Sequence, residues 1–151
     1  MLPMSTPPES ISLPAHLPAM CFVQPAVDYQ VPEVVLVALV KVESRGQPIQ
    51  SKRNSNGTVD LGVAQINSAS WAPYLQTKYG ITADSLLKSP CQGIRAAAYV
   101  LRKEMNHKKC GGVNVWCAVG RYHAPSDESL ARAYALKVSD AMVKIMREGH
   151  F

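Results

Sequence analysis

VPEVVLVALVKVESRG, residues 31–46, decides the fold. Pro32 suits the first turn of a helix, Glu33 its positive end, and Gly46 a C-cap. Between them Val34, Val35, Leu36, Val37, Ala38, Leu39, Val40 and Val42 are apolar on almost every face. A helix apolar all round is a buried core helix, although the valines by themselves also allow a strand. Its last turn delivers Glu43 and Ser44. A carboxylate at the end of a buried rod is held partly out of water and beside the negative end of the helix dipole. Both effects oppose ionisation, so a pKa raised toward the range of a general acid is expected. The competing reading is a glutamate that emerges into solvent and pairs with Lys41 or Arg45.

Upstream, Met1 to Ala19 is rich in Pro and Ser and reads as a poorly ordered lead, with the folded domain over residues 20–151. Met20 to Tyr29 reads as a short helix. Downstream, the "NSNG" cluster at residues 54–57 is a turn signal, and Thr58 to Ile66 reads as a short irregular hairpin around Asp60 and Gly62. Ser70 suits an N-cap for a helix through Tyr79, stopped at Gly80. Thr82 opens a brief helix to Lys88, and Pro90 a longer one to about Asn106. Asn114 caps a helix over Val115 to Tyr122. The last helix runs from about Asp127 to Glu148, with Leu130, Tyr134, Val138, Ala141 and Ile145 at helical spacing and Gly149 at its end. The sum is a mainly α domain of six or seven helices with one small hairpin, and no internal repeat.

A chain of 151 residues is most simply one domain, long enough to bury a core. Its 47% hydrophobic and 18% charged residues read as globular, and its net charge of +5 suggests an acidic partner. No aromatic-interleaved basic stripe of the single-strand-binding kind is present, so nucleic acid is not the expected partner. Cys21, Cys91, Cys110 and Cys117 have no metal-like spacing, and His16, His107, His123 and His150 form no HExxH arrangement, so neither a metal nor a cofactor is expected. Two disulfides in an oxidising compartment explain the even count, with three connectivities open. The alternative is four buried thiols in a cytosolic protein. No stretch approaches the ~20 apolar residues of a membrane-spanning helix. No Lys or Arg precedes Lys41, so the positive region of a secretory signal is missing. That leaves export by another route, or a signal outside this sequence.

Three segments carry candidate chemistry: "VESRG" at Glu43, "DLGVAQINS" over residues 60–68, and "AVGRYHAP" over residues 118–125. Gly62 allows close backbone approach to a ligand. Gln65 and Asn67, two apart, can present amides to one face, where they suit hydroxyl and acetamido groups. Tyr122 near a helix end is placed to donate to a buried carboxylate. Taken singly, each has an ordinary structural explanation. Taken together, in this order and spacing, they resemble the lytic transglycosylases of the lysozyme-like superfamily, especially the small ones that accompany type IV secretion and conjugation machines. Glu43-Ser44 matches that family's catalytic pair, Gly62 to Asn67 its Gly-Leu-Met-Gln-Ile-Asn block, Pro90 to Arg102 its third motif, and Tyr122 the tyrosine of its Ala-Tyr-Asn block. The departures are Val63-Ala64 for Leu-Met, expected to leave a smaller apolar wall against the sugar, and His123 for Asn.

The resemblance implies a lysozyme-like α domain whose hairpin sits near the cleft, Cys21–Cys91 and Cys110–Cys117 disulfides, and a periplasmic, monomeric enzyme. It implies glycan strands of peptidoglycan as substrate, secretion or conjugation components as partners, and no cofactor. Glu43 is then the catalytic acid, with Ser44, Gln65, Asn67 and Tyr122 as substrate-binding residues. Ordinary glycosidases need two carboxyl groups, and Asp60 is the one other acid near these motifs. A transglycosylase needs one, because the muramoyl C6 hydroxyl closes a 1,6-anhydro ring on its own anomeric carbon. The runner-up is a goose- or phage-type hydrolase with Asp60 positioning water. Further readings are a non-catalytic wall-binding scaffold and a nucleic-acid-binding accessory.

Overall fold

The apolar run forms α2, Glu33–Ser44, in a computed structural model that describes residues 11–151. All of Val34 to Val40 is buried, with Leu36 to Val40 wholly inaccessible. Each such side chain contributes about 1.5–3 kcal/mol relative to exposure, which selects helix over strand here because one rod is enclosed on every side. Pro32 stands at the N-cap in an extended conformation rather than inside the first turn. At the other end the left-handed C-cap is Arg45 (φ 54°), not Gly46, and Gly46 follows with φ 78°.

Helix α1, Met20–Tyr29, precedes α2. After α2 come the two-residue strands β1, Asp60–Leu61, and β2, Ile66–Asn67, paired antiparallel with Asp60 opposite Asn67 and Leu61 opposite Ile66. Then follow α3, Trp71–Tyr79, α4, Ala83–Lys88, and α5, Pro90–Met105. The chain ends with α6, Val115–His123, and α7, Glu128–Glu148. This is a mainly helical, lysozyme-like domain with one small hairpin. The helix starts are fixed by side-chain oxygens taking orphan backbone donors: Thr82 from Ser85, Ser89 from Gln92, Asn114 from Cys117 and Asp127 from Leu130. Ser70 stands at the N-cap of α3 without such a bond.

Three expectations change. Of the lead expected to be poorly ordered, 1–10 lies outside the described residues, but 11–19 is packed rather than loose. Ile11 and Leu17 are buried in the core, and His16 Nε2 donates to the Gly46 carbonyl at 2.7 Å. Ser12 pairs with the chain end through Gly149 and Phe151. Two well-placed apolar side chains outweigh the composition of a segment whose prolines already limit its unfolded freedom. On α7, Leu130 is 55% exposed and Met142 takes a place on the buried face with Tyr134, Val138 and Ile145. Gly62 makes its close approach to protein, not to a ligand: a Cβ there, at φ 73°, would lie 1.8 Å from the Leu86 carbonyl oxygen.

Cys21–Cys91 fastens α1 to α5, and Cys110–Cys117 closes the turn that leads into α6. Both pairs are those the family resemblance implies. No helix of the described residues is long and apolar enough to cross a membrane.

Candidate active site

Glu43 is half-buried in the last turn of α2, where the rod emerges between the hairpin and the last two helices. Its carboxyl pKa is pushed up to about 8. Burial is the main cause, and the nearby Asp60 carboxylate adds to it by like-charge repulsion. A phenol donor from Tyr134 and the Lys137 ammonium oppose the rise without cancelling it. Glu43 is therefore a carboxylic acid that keeps its proton at neutral pH, as a general acid must.

Two phenols flank it. Tyr134, on the buried face of α7, is 7% exposed, and its hydroxyl, beside the Glu43 carboxyl, makes no well-formed hydrogen bond among the described residues. Tyr122, near the end of α6, also feels the Glu43 and Asp60 charges, but donates its hydrogen bond to the Ala64 carbonyl at 2.6 Å. It ties α6 to the hairpin loop instead of donating to Glu43 as expected from sequence. Burial, followed by the charge of Glu43, raises both phenols well above their ordinary range. Both stay neutral donors wherever the protein is folded.

The remaining sequence candidates lie at the end of α2 and in the hairpin, with most of their polar side-chain atoms already engaged. Ser44 is buried and donates to the Val63 carbonyl at 2.7 Å, while its oxygen accepts the Gly46 N–H at 3.1 Å. It clamps the end of α2 to the hairpin loop. Gln65 holds a left-handed backbone (φ 53°) and spends its amide nitrogen on the Ile49 and Gly62 carbonyls, at 3.0 and 2.9 Å. Asn67 donates to Asp60 Oδ1 at 3.1 Å and to Thr58 Oγ1 at 2.9 Å, and its oxygen accepts the Ala69 N–H. Asp60 is thereby oriented, with Asn54 at 3.4 Å from its second oxygen. Val63 and Ala64 are wholly buried, so they form core beneath the loop and not a wall against a sugar.

Sequence reasoning missed Tyr134 and Lys137. Tyr134 sits in the same helical register as the apolar core residues of α7, so periodicity reads it as packing. The signal that could have found it is chemical: a buried phenol seeks a hydrogen-bond partner, and a core position supplies none unless a polar group waits there. A hollow of about 870 Å³ lies between α6 and α7 and is lined by Trp116, Gly120, Arg121, Ala124, Ala131 and Leu136. None of Glu43, Tyr122 and Tyr134 lines it. The perturbed Glu43 carboxyl and the phenols beside it, not this hollow, mark the candidate site.

Comparison with known proteins gives the family. Invasion protein IagB of Salmonella typhimurium (strain SL1344) is 32% identical over 123 residues, covering 80% of this chain and 73% of the relative. Protein IpgF of Shigella sonnei is 29% identical over 106 residues, 70% of this chain and 66% of the relative. The family described as the transglycosylase SLT domain matches residues 20–135. That span contains the whole cluster from Glu43 to Tyr134, and the chain belongs to the transglycosylase SLT domain family.

Proposed function

We propose that this chain cleaves the β-1,4 bond between N-acetylmuramic acid and N-acetylglucosamine in peptidoglycan, leaving 1,6-anhydro ends, with Glu43 as acid and then base. Family membership points to lytic transglycosylase activity on peptidoglycan. The observation that carries the finer reading is the Glu43 carboxyl, protonated up to about pH 8 and faced by a neutral phenol. Protonated Glu43 gives its proton to the glycosidic oxygen as the bond breaks. The resulting carboxylate accepts the proton of the muramoyl C6 hydroxyl, whose oxygen attacks the anomeric carbon of its own sugar. Proton and electron pairs balance over the cycle, and Glu43 ends protonated. The Tyr134 O–H supports the transient carboxylate, and no positioned water is needed because the nucleophile is tethered to the substrate.

Ser44, Gln65, Asn67 and Tyr122 then act mainly by holding the hairpin against α2 and α6. The Gln65 carbonyl oxygen is the group left among them for a sugar hydroxyl or acetamide. A periplasmic location fits two disulfides and a wall substrate. Local wall opening for an envelope-spanning machine is the cellular role this reading favours. The name of the Salmonella relative speaks of invasion, and neither relative's name mentions conjugation.

Mass spectrometry of muropeptides released from purified sacculi tests the reading. Anhydro ends from the native chain, and none from Glu43→Gln, are expected. Reducing ends would transfer the protein to the second reading, hydrolysis, which one observation favours. Asp60 is close enough to raise Glu43 and is held in orientation by Asn54 and Asn67, as a second carboxylate of a glycosidase would be.

A further inference from the structure

The segment "RYHAP", residues 121–125, brings two rings to the neighbourhood of Glu43, and the mechanism above uses only one. Tyr122 pins the hairpin loop through Ala64. The next residue, His123, closes α6 and lays its imidazole flat on the ring of Tyr134, with centroids 4.4 Å apart and planes 14° from parallel. His123 is exposed whereas Tyr134 is buried, so the stack hides little of the imidazole. It does bound the rotation of the tyrosine ring on one face. The hydroxyl at the far end of that ring faces Glu43 and makes no well-formed hydrogen bond among the described residues, so no hydrogen bond fixes where it points.

We propose that His123 is a positioning residue: by stacking on Tyr134 it holds the phenol O–H against the Glu43 carboxyl. The proposal rests on the reading of Glu43 as the reacting acid. An asparagine, the residue of the family pattern, offers no ring for this stack, so the device belongs to the histidine. The Tyr134 O–H favours the carboxylate form of Glu43, against burial and against Asp60. It is needed in the half of the cycle when Glu43 has lost its proton. With the stack removed, the phenol is free to turn away and Glu43 holds its proton more tightly. Asp60 from β1, Tyr122 from α6 and Lys137 from α7 also face Glu43, and none of them is changed by a substitution at His123.

The test is an NMR titration of the Glu43 carboxyl carbon in the native chain, His123→Ala, His123→Phe, Tyr134→Phe and the His123→Ala/Tyr134→Phe double variant, beside turnover on soluble glycan strands. The native midpoint is expected near 8. It should move upward in His123→Ala and by a like amount in Tyr134→Phe, with no further movement in the double variant. His123→Phe, which keeps a flat ring, should titrate as native. Turnover should fall roughly 10- to 100-fold in His123→Ala with KM unchanged, and recover in His123→Phe. An unmoved midpoint in His123→Ala, additive shifts in the double variant, or His123→Phe behaving as His123→Ala would each overturn the proposal. The titration needs no substrate, so it remains decisive even for a chain that leaves glycan strands uncut, an outcome that removes the reading of Glu43 and not the coupling.

Discussion

Glu43 sets a conflict between folding and chemistry that can be measured. Its carboxyl titrates near 4.5 in an unfolded chain and near 8 in the folded one. Between those values the folded state binds a proton that the unfolded state does not, so stability falls as pH rises through that window. Each pH unit corresponds to about 1.4 kcal/mol. Glu43→Gln, a near-isosteric amide that carries no charge, is expected to be more stable than the native chain by about 3 kcal/mol at pH 7. At pH 4.5 the difference should vanish. Denaturant unfolding of both proteins across pH 4 to 8 checks this, and a pH-independent difference would show that Glu43 is not held protonated. The same variant should leave no cleared band on a wall-containing gel. Asp60→Asn is the companion change. It removes the like charge that helps raise Glu43, so the alkaline limb of activity should move to lower pH. Anhydro products should persist in that variant if the sugar supplies its own nucleophile.

At the scale of elements, Gly62 decides whether the hairpin can lie where Asp60 and Asn67 need it. It combines a left-handed backbone with a carbonyl of α4 at 1.8 Å from any added Cβ. Gly62→Ala therefore has to displace backbone, and a loss of about 3 kcal/mol or more is expected. Gly80→Ala faces open space at a similar φ of 69° and should cost only about 1 kcal/mol. Equal costs would mean that the hairpin does not lean on α4. Most element boundaries were legible because start signals are local: Thr82, Pro90, Asn114 and Asp127 each announce a helix within three residues of themselves. The hairpin was legible from its turn residues and its glycine. Contacts made across the chain were not. Leu17 gives no local sign that it will pack beside Gly46, and Tyr134 none that a carboxyl will face it. Ser44, Gln65 and Asn67 were found as a cluster, yet local pattern does not say whether an amide faces a sugar or the carbonyl of its own loop.

At the scale of the whole molecule, the two disulfides divide the work unequally. Cys21–Cys91 spans 70 residues and joins α1 to α5 across the region that holds α2, the hairpin and Glu43, whereas Cys110–Cys117 spans 7. If the crosslinks act mainly by restricting the unfolded chain, closing the long loop contributes about 4 kcal/mol and the short one about 2 kcal/mol. The chain should then tolerate Cys110→Ser/Cys117→Ser with its titration of Glu43 unchanged, while Cys21→Ser/Cys91→Ser lowers the denaturant midpoint about twice as far. The same asymmetry predicts how the protein responds to its compartment. A reducing medium costs the long crosslink first in free energy, and with it the enclosure of α2 that keeps the Glu43 carboxyl protonated. Activity under reduction should therefore fall in step with the native fraction, not before it. Equal midpoints for the two double variants would mean that unfolded-state restriction is not how the crosslinks act, and that the enclosure around α2 stands on its apolar packing alone.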